Sequence, residues 1–258
     1  LLHDIGKFRE RAGLEKPSAS GKYSHEAHTH AFVMARTAVF SAPDTIAGIA
    51  LAHHDPQTLD QKIVAIADRL ASAERAQTPS GGSGDLPQGR FRRPLLSPLA
   101  QVYAHQNPAA WVPLQPLDFK RECIFPRNEE PDEGSYAALW SKFEEEACRI
   151  AGVDDTESWL YLLQKYTWCM PASTKAEEIP DVSLFDHSRA TAALAVCLGA
   201  AYGQDDAAVD ALLQYASRPN AAGAETPVAL LLRSDVRGIQ SFLYSLRASG
   251  AARSLRGR

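Results

Sequence analysis

The chain has 258 residues, of which 45% are hydrophobic and 22% charged, with a formal net charge of -4. That length suits two domains of about 100–200 residues each, and the apolar share allows a core without disulfides or structural metal. The mild acidity excludes a generally polycationic nucleic-acid binder. Cys123, Cys148, Cys169 and Cys197 show no CxxC spacing, which excludes a zinc ribbon or a disulfide framework and points to buried free thiols in a reducing cytoplasm. There is no signal peptide and no apolar run long enough to span a membrane.

Leu1 to Gln77 reads as helices with short breaks. Leu1–Phe8 is expected to be the end of a helix closing near Gly13, and Lys16–Lys22, with Pro17 and Gly21, a loop. A second helix starts at Ser24 as N-cap and buries Ala27, Ala31, Val33, Met34 and Ala38. Pro43 opens a third, through Ile46, Ile49, Ala50 and His53. The fourth, Gln61–Ala76, has Ile63, Ile66, Ala67 and Leu70 as its apolar stripe. Thr78–Asp85 is Gly- and Ser-rich and reads as a flexible linker or surface loop.

Extended pieces are expected around Arg93–Tyr103 and Trp111–Phe125, then helices over Gly134–Ile150, Glu157–Tyr166, within Asp181–Tyr202, and over Asp205–Ser217. Val228–Arg233 reads as a buried strand turning through Ser234-Asp235 into a helix from Gly238 to about Ser249, the opening of an α/β unit. Glu129–Glu157 is acidic, whereas the last stretch carries Arg233, Arg237, Arg247, Arg253, Arg256 and Arg258 against Asp235. Those arginines suit an RNA or nucleotide phosphate, or simply a solvated helix. The first residues lie inside an apolar-periodic segment and the last lack a terminating element, so the chain is expected to be part of a larger protein.

Six of the eight histidines fall within the first 54 residues, and two pairs stand out: His3-Asp4 and His53-His54, followed by Asp68. Imidazole nitrogens take divalent transition metals, and a carboxylate can bridge a second ion. Gathering His and Asp ligands from separate helices is how a helical scaffold builds such a site. We therefore expect His3, Asp4, His53, His54 and Asp68 as ligands, with Asp4 bridging. His25 is expected to complete the set, with His28 as the fallback. Gly6 would allow close approach of backbone or substrate, and Lys7, one turn from His3, would direct a cation at a phosphate. A His-rich shell suits Mn²⁺ or a similar transition ion better than Mg²⁺. Because the imidazoles must be neutral, activity should fall below a pH of about 6.5. Asp186-His187 reads as an N-cap and packing feature. Trp159, Tyr161, Tyr166 and Trp168 read as a core cluster or subunit interface.

The string Leu2-His3-Asp4-Ile5-Gly6-Lys7-Phe8 resembles the HD phosphohydrolase superfamily. Ile63–Arg75, Trp168–Thr174 with Ile179–His187, and Ser234–Tyr244 resemble successive motifs of the large subunit of type III-A CRISPR effector complexes. That resemblance implies a mainly α chain: a helical HD nuclease domain over residues 1–77, a linker over 78–92, an α-rich intervening region over 93–226, and the start of a ferredoxin-like α/β palm domain over 227–258. It implies His3, Asp4 and Lys7 as catalytic residues and Asp235 as a nucleotide or metal contact, although Ser234 and Arg237 depart from the motif around it. It also implies single-stranded DNA as substrate, with crRNA, target RNA and the other subunits of the complex as partners. The full-length form would make cyclic oligoadenylates from ATP, which needs a second-palm motif absent from these residues. A stand-alone HD nucleotidase or phosphodiesterase and a vestigial HD scaffold subunit are the alternatives.

Overall fold

The computed structural model describes residues 1–18, 21, 23–73, 92–102, 110–132, 134–175, 178–217, 228–230 and 232. Residues 1–221 form one compact unit and residues 222–258 a second. The helices of the first unit are α1 (Ile5–Arg11), α2 (Ser24–Met34), α3 (Pro43–Ala52), α4 (Leu59–Ser72), α5 (Pro98–Val102), α6 (Arg121–Ile124), α7 (Ser135–Ala147), α8 (Thr156–Thr167), α9 (Leu184–Tyr202) and α10 (Asp206–Ser217).

His3 and Asp4 occupy the turn into α1 rather than its body, with Asp4 as the N-cap residue. The helix closes at Gly13, whose φ of 82° suits a residue without a β-carbon. Pro43 opens α3 as expected, its fixed φ matching the first helical position. Thr58 caps α4 by accepting the Gln61 N–H, and Gln61 returns the bond to the Thr58 N–H at 3.0 Å. The N-cap of α2 is Tyr23 rather than Ser24. Met34 and Ala38 are exposed: α2 ends at Met34, with Phe32 and Val33 on its buried face, and Ala38 falls in the 3-10 turn that follows.

Two cores result. In the larger, Phe8 and Phe32 meet Trp140, Phe143, Trp159 and Tyr166 from α7 and α8, with Phe8 and Trp140 ring centroids 5.0 Å apart and nearly perpendicular. The aromatic group therefore holds the fold, as expected of Trp159 and Tyr166, whereas Tyr161 is exposed. The smaller core joins Ile63, Ile66 and Ala67 of α4 to Leu198 of α9 and Val209 of α10. Full burial of such a side chain stabilises by about 1.5–3 kcal/mol. Cys123 and Cys169 are buried free thiols, but Cys148, the C-cap residue of α7, and Cys197, within α9, are exposed.

Among the described residues there are no strands, only isolated antiparallel bridges, of which Pro171 with Ser183 matters most here. Backbone bonds from Ala172 N–H to Val182 and from Leu184 N–H to Met170 flank it. The buried Arg11 guanidinium of α1 donates to the Pro171 carbonyl at 2.6 Å. These contacts fix where α9 begins. The buried strand expected over Val228–Arg233 is not seen at its described positions. Val228–Leu230 and Leu232 carry no strand, and Leu230 is 89% exposed. A strand exists by pairing, and no described segment pairs with these residues. The helix expected from Gly238, the linker over 78–85 and Asp235 lie outside the described residues.

Candidate metal centre

Gly6 explains how the first two helices approach. Its N–H donates to Thr29 Oγ1 at 2.9 Å, and that hydroxyl lies 3.0 Å from the His3 carbonyl and 3.1 Å from the His25 carbonyl. A β-carbon at Gly6 would overlap the His25 carbonyl oxygen and crowd Thr29 N at 2.7 Å. The close approach anticipated there is therefore backbone against backbone, and it brings His25 of α2 to the turn that carries His3 and Asp4.

Two groups of ligating atoms form. One comprises His3, Asp4, Asp68 and His187, all buried; the other comprises His25, His53 and His54, of which only His53 is fully buried. Asp4 stands between them. Its Oδ1 is 3.5 Å from His25 Nε2 and 3.9 Å from His53 Nε2, while Oδ2 faces Lys7, His187 at 3.3 Å and His3 at 3.5 Å. Asp68 Oδ1 lies 2.9 Å from His187 Nε2 and 3.4 Å from His3 Nε2.

All six residues expected as ligands from the sequence are thus brought together. The fallback, His28, is elsewhere: its Nδ1 is 2.7 Å from an Arg9 guanidinium nitrogen, from which it must accept. Lys7 has a partner within the chain. Its ammonium is bound to Asp4 Oδ2 at 2.5 Å, because the N-cap position sets that carboxylate one turn below it.

His187 is the residue that sequence reading misplaced. The N-cap of α9 is Ser183, which accepts the Asp186 N–H at 3.0 Å and donates to its carboxylate at 2.7 Å. Asp186 serves the cap, but His187, one residue on, turns inward between Asp4 and Asp68 with no solvent exposure. Reversed order and a separation of more than a hundred residues from the other candidate ligands concealed it. The signal was the serine cap itself, which spares the histidine that role.

The electrostatics suit lone-pair donation. Burial pushes His3 down to about 4, His25 down to about 3 and His54 down to about 4, so each is neutral well below neutral pH. His53 Nδ1 sits 2.7 Å from the Ala50 carbonyl and must donate to it, leaving Nε2 as the acceptor toward the site. Burial alone would raise Asp4 and Asp68, yet both carboxyls lie well below the usual range. Lys7, His3 and His187 outweigh burial at Asp4, and the adjoining His187 and His3 imidazoles do so at Asp68. Burial would lower His187, but bonds to Asp4 and Asp68 raise it instead.

The residues fit a divalent ion. His3 Nε2, Asp4 Oδ1 and His53 Nε2 are buried with no well-formed hydrogen bond among the described residues, a cost that coordination would remove. His25 and His54 bring two Nε2 atoms within 3.2 Å. That is about the spacing of two nitrogens bound roughly 2.1 Å from one ion.

Residues 1–73 match the HD domain family, which includes every candidate ligand except His187. Over its whole length the chain is 31% identical to the "CRISPR system single-strand-specific deoxyribonuclease Cas10/Csm1 (subtype III-A)" of Methanocaldococcus jannaschii, covering 35% of that protein. It is 27% identical to the protein of the same name from Streptococcus thermophilus, covering 34% of it. The Mycobacterium tuberculosis counterpart is 36% identical over 52% of this chain and 16% of its own length. A solved "Csm1-Csm4 cassette in complex with pppApApA" aligns with 76% of this chain and 26% of the matched one, at 24% identity and a TM-score of 0.48. The chain spans about a third of the full-length relatives it matches. The resemblance to type III-A large subunits read from separate motifs therefore holds from the first residue to the last.

Proposed function

From that likeness we propose that the chain is the HD nuclease portion of a type III-A CRISPR large subunit, hydrolysing single-stranded DNA at a divalent-metal centre. The single observation behind this reading is the buried junction at Asp4, where four histidines and Asp68 converge on one carboxylate. His3, Asp4, Asp68 and His187 would hold one ion and His25, His53 and His54 a second, with Asp4 shared; Mn²⁺ or a similar transition ion suits these donors. When bound, such ions supply Lewis acidity, activating water and offsetting charge on the phosphoryl oxygens.

The chain's own residues prepare that chemistry. Lys7 holds Asp4 in its rotamer and adds positive charge beside the position a phosphate would reach. The Ala50 carbonyl fixes the His53 tautomer, and the bridge at Pro171 and Ser183 sets the height at which α9 delivers His187. By the same likeness we assign residues 1–77 to the HD domain, with His187 lent to it by α9, 78–92 to a linker, 93–226 to the intervening region and 227–258 to the start of a palm. Asp235 is assigned as a nucleotide or metal contact of that palm. The crRNA, target RNA, companion subunits, cyclic oligoadenylate synthesis from ATP and a cytoplasmic setting belong to the full-length protein in this reading. Among the described residues no helix is long and apolar enough to cross a membrane.

The test is incubation of the chain with Mn²⁺ and labelled single-stranded DNA, double-stranded DNA or dNTPs, beside a His3→Ala/Asp4→Ala variant. Metal-dependent cleavage of single strands, lost in the variant, is expected. Hydrolysis of dNTPs alone would overturn the reading in favour of a nucleotidase. Inactivity of the chain within its assembled complex would instead mark a vestigial site.

A further inference from the structure

Thr191 stands one turn beyond His187 on the buried face of α9. The His187 and His3 ring centroids are 5.4 Å apart, so this face runs along the His3 side of the centre. A threonine within a helix commonly returns its hydroxyl to the carbonyl four residues back, as Thr167 of α8 does to Leu163 at 2.7 Å. Thr191 does not. Its Oγ1 is buried with no hydrogen-bond partner among the described residues, and so is His3 Nδ1. Both residues line one cavity of about 120 Å³ whose other side chains are apolar, among them Leu2, Ile46, Ile49 and Val64. That space is large enough for water, and a buried water needs at least two polar partners. The requirement is specific to His3. At His53 the Ala50 carbonyl, 2.7 Å away, holds the proton on Nδ1. At His3 the carboxylate oxygens of Asp68 and Asp4 lie 3.4 and 3.5 Å from Nε2 and draw the ring proton there instead. An Nε2 that carries the proton has no lone pair for an ion.

We propose that Thr191 is a positioning residue of the metal centre, acting on His3 through a water in this cavity. The water accepts the His3 Nδ1–H and donates to Thr191 Oγ1, which keeps the ring proton on Nδ1 and the Nε2 lone pair turned to the ion. The proposal rests on the metal-centre reading above and adds the outer partner that a ligating His3 requires.

The experiment uses the full chain, Thr191→Val, which keeps the shape but not the hydroxyl, and Thr191→Ser, which keeps the hydroxyl. Imidazole nitrogen chemical shifts of the metal-free chain at neutral pH, assigned against His3→Gln, read which His3 nitrogen carries the proton. Calorimetric titration reads Mn²⁺ affinity. The wild-type chain and Thr191→Ser should hold the proton on Nδ1 and bind Mn²⁺ alike. Thr191→Val should move the proton to Nε2 and weaken Mn²⁺ binding by about 10–100-fold. A wild-type His3 protonated on Nε2 would overturn the proposal, whether or not either variant folds. So would wild-type affinity in Thr191→Val, or equal losses in both variants, which would leave Thr191 a packing role. In all three cases Mn²⁺ binding by the wild-type chain keeps the metal-centre reading standing. A wild-type chain that binds no Mn²⁺ would overturn that reading, and the role of Thr191 with it.

Discussion

The two halves of the centre differ in charge and in depth. His25, His53 and His54 contribute only imidazoles, and two of the three reach the surface. His3, Asp4, Asp68 and His187 are all buried and carry two carboxylates, with His187 held protonated more readily than a free imidazole. In the imidazole half the cost of burial falls mainly on His53, whose Nε2 is buried without a hydrogen bond among the described residues. In the carboxylate half the Lys7 ammonium offsets part of the charge, and the two carboxylates raise the affinity of His187 for a proton. A divalent ion entering that half would take over the neutralising role and compete with any proton on His187. The deep half should thus govern affinity and pH response, and the rim half access.

The largest effect should come from the residue common to both halves. Asp4→Asn should weaken Mn²⁺ binding by roughly a hundredfold or more, beyond the 10–100-fold typical of groups that only orient a ligand. Calorimetric titration measures this, and a deficit confined to one of two binding events would break the shared-carboxylate picture. Gly6→Ala should come next. Pushing α1 from α2 should destabilise the fold by about 1–3 kcal/mol in denaturant melts and weaken metal binding as His25 moves from Asp4. Unchanged stability would mean the helices can separate without consequence.

The metal-free chain should lose thermal stability as pH falls from about 7 to 5. His3, His25 and His54 have folded values near 4, 3 and 4, below the unfolded value of about 6.5. Between those values the unfolded chain binds more protons, so stability rises with pH. His187, raised, acts in the opposite sense and sharpens the comparison: His187→Gln should steepen the pH dependence. The smallest effect on metal binding should come from His28→Gln. Its ring bonds Arg9 rather than the centre, so Mn²⁺ affinity should stay within about twofold.

Much of the site was legible because its signals are local. The pairs His3-Asp4 and His53-His54, the capped helix bearing Asp68, and His25 just after a loop all declare themselves over a few residues. Gly6 declared a close approach but not its partner, which depends on how α1 crosses α2. What was hidden depends on tertiary placement. His187 belongs to the site only because α4 packs along α9 and Arg11 ties α1 to Pro171. The ion pair that occupies Lys7 follows from Asp4 sitting at an N-cap. Met34 and Ala38 misled because the helical stripe was carried past the end of α2 at Met34, where the chain turns into a 3-10 segment.

The most direct test of the account is Mn²⁺ affinity in the wild-type chain, His187→Gln and His28→Gln, measured by calorimetric titration at one pH. A centre completed by α9 predicts a loss of about 10–100-fold for His187→Gln and near wild-type binding for His28→Gln. Wild-type affinity in His187→Gln would contradict it, returning His187 to a packing role and leaving the centre to the first helices alone.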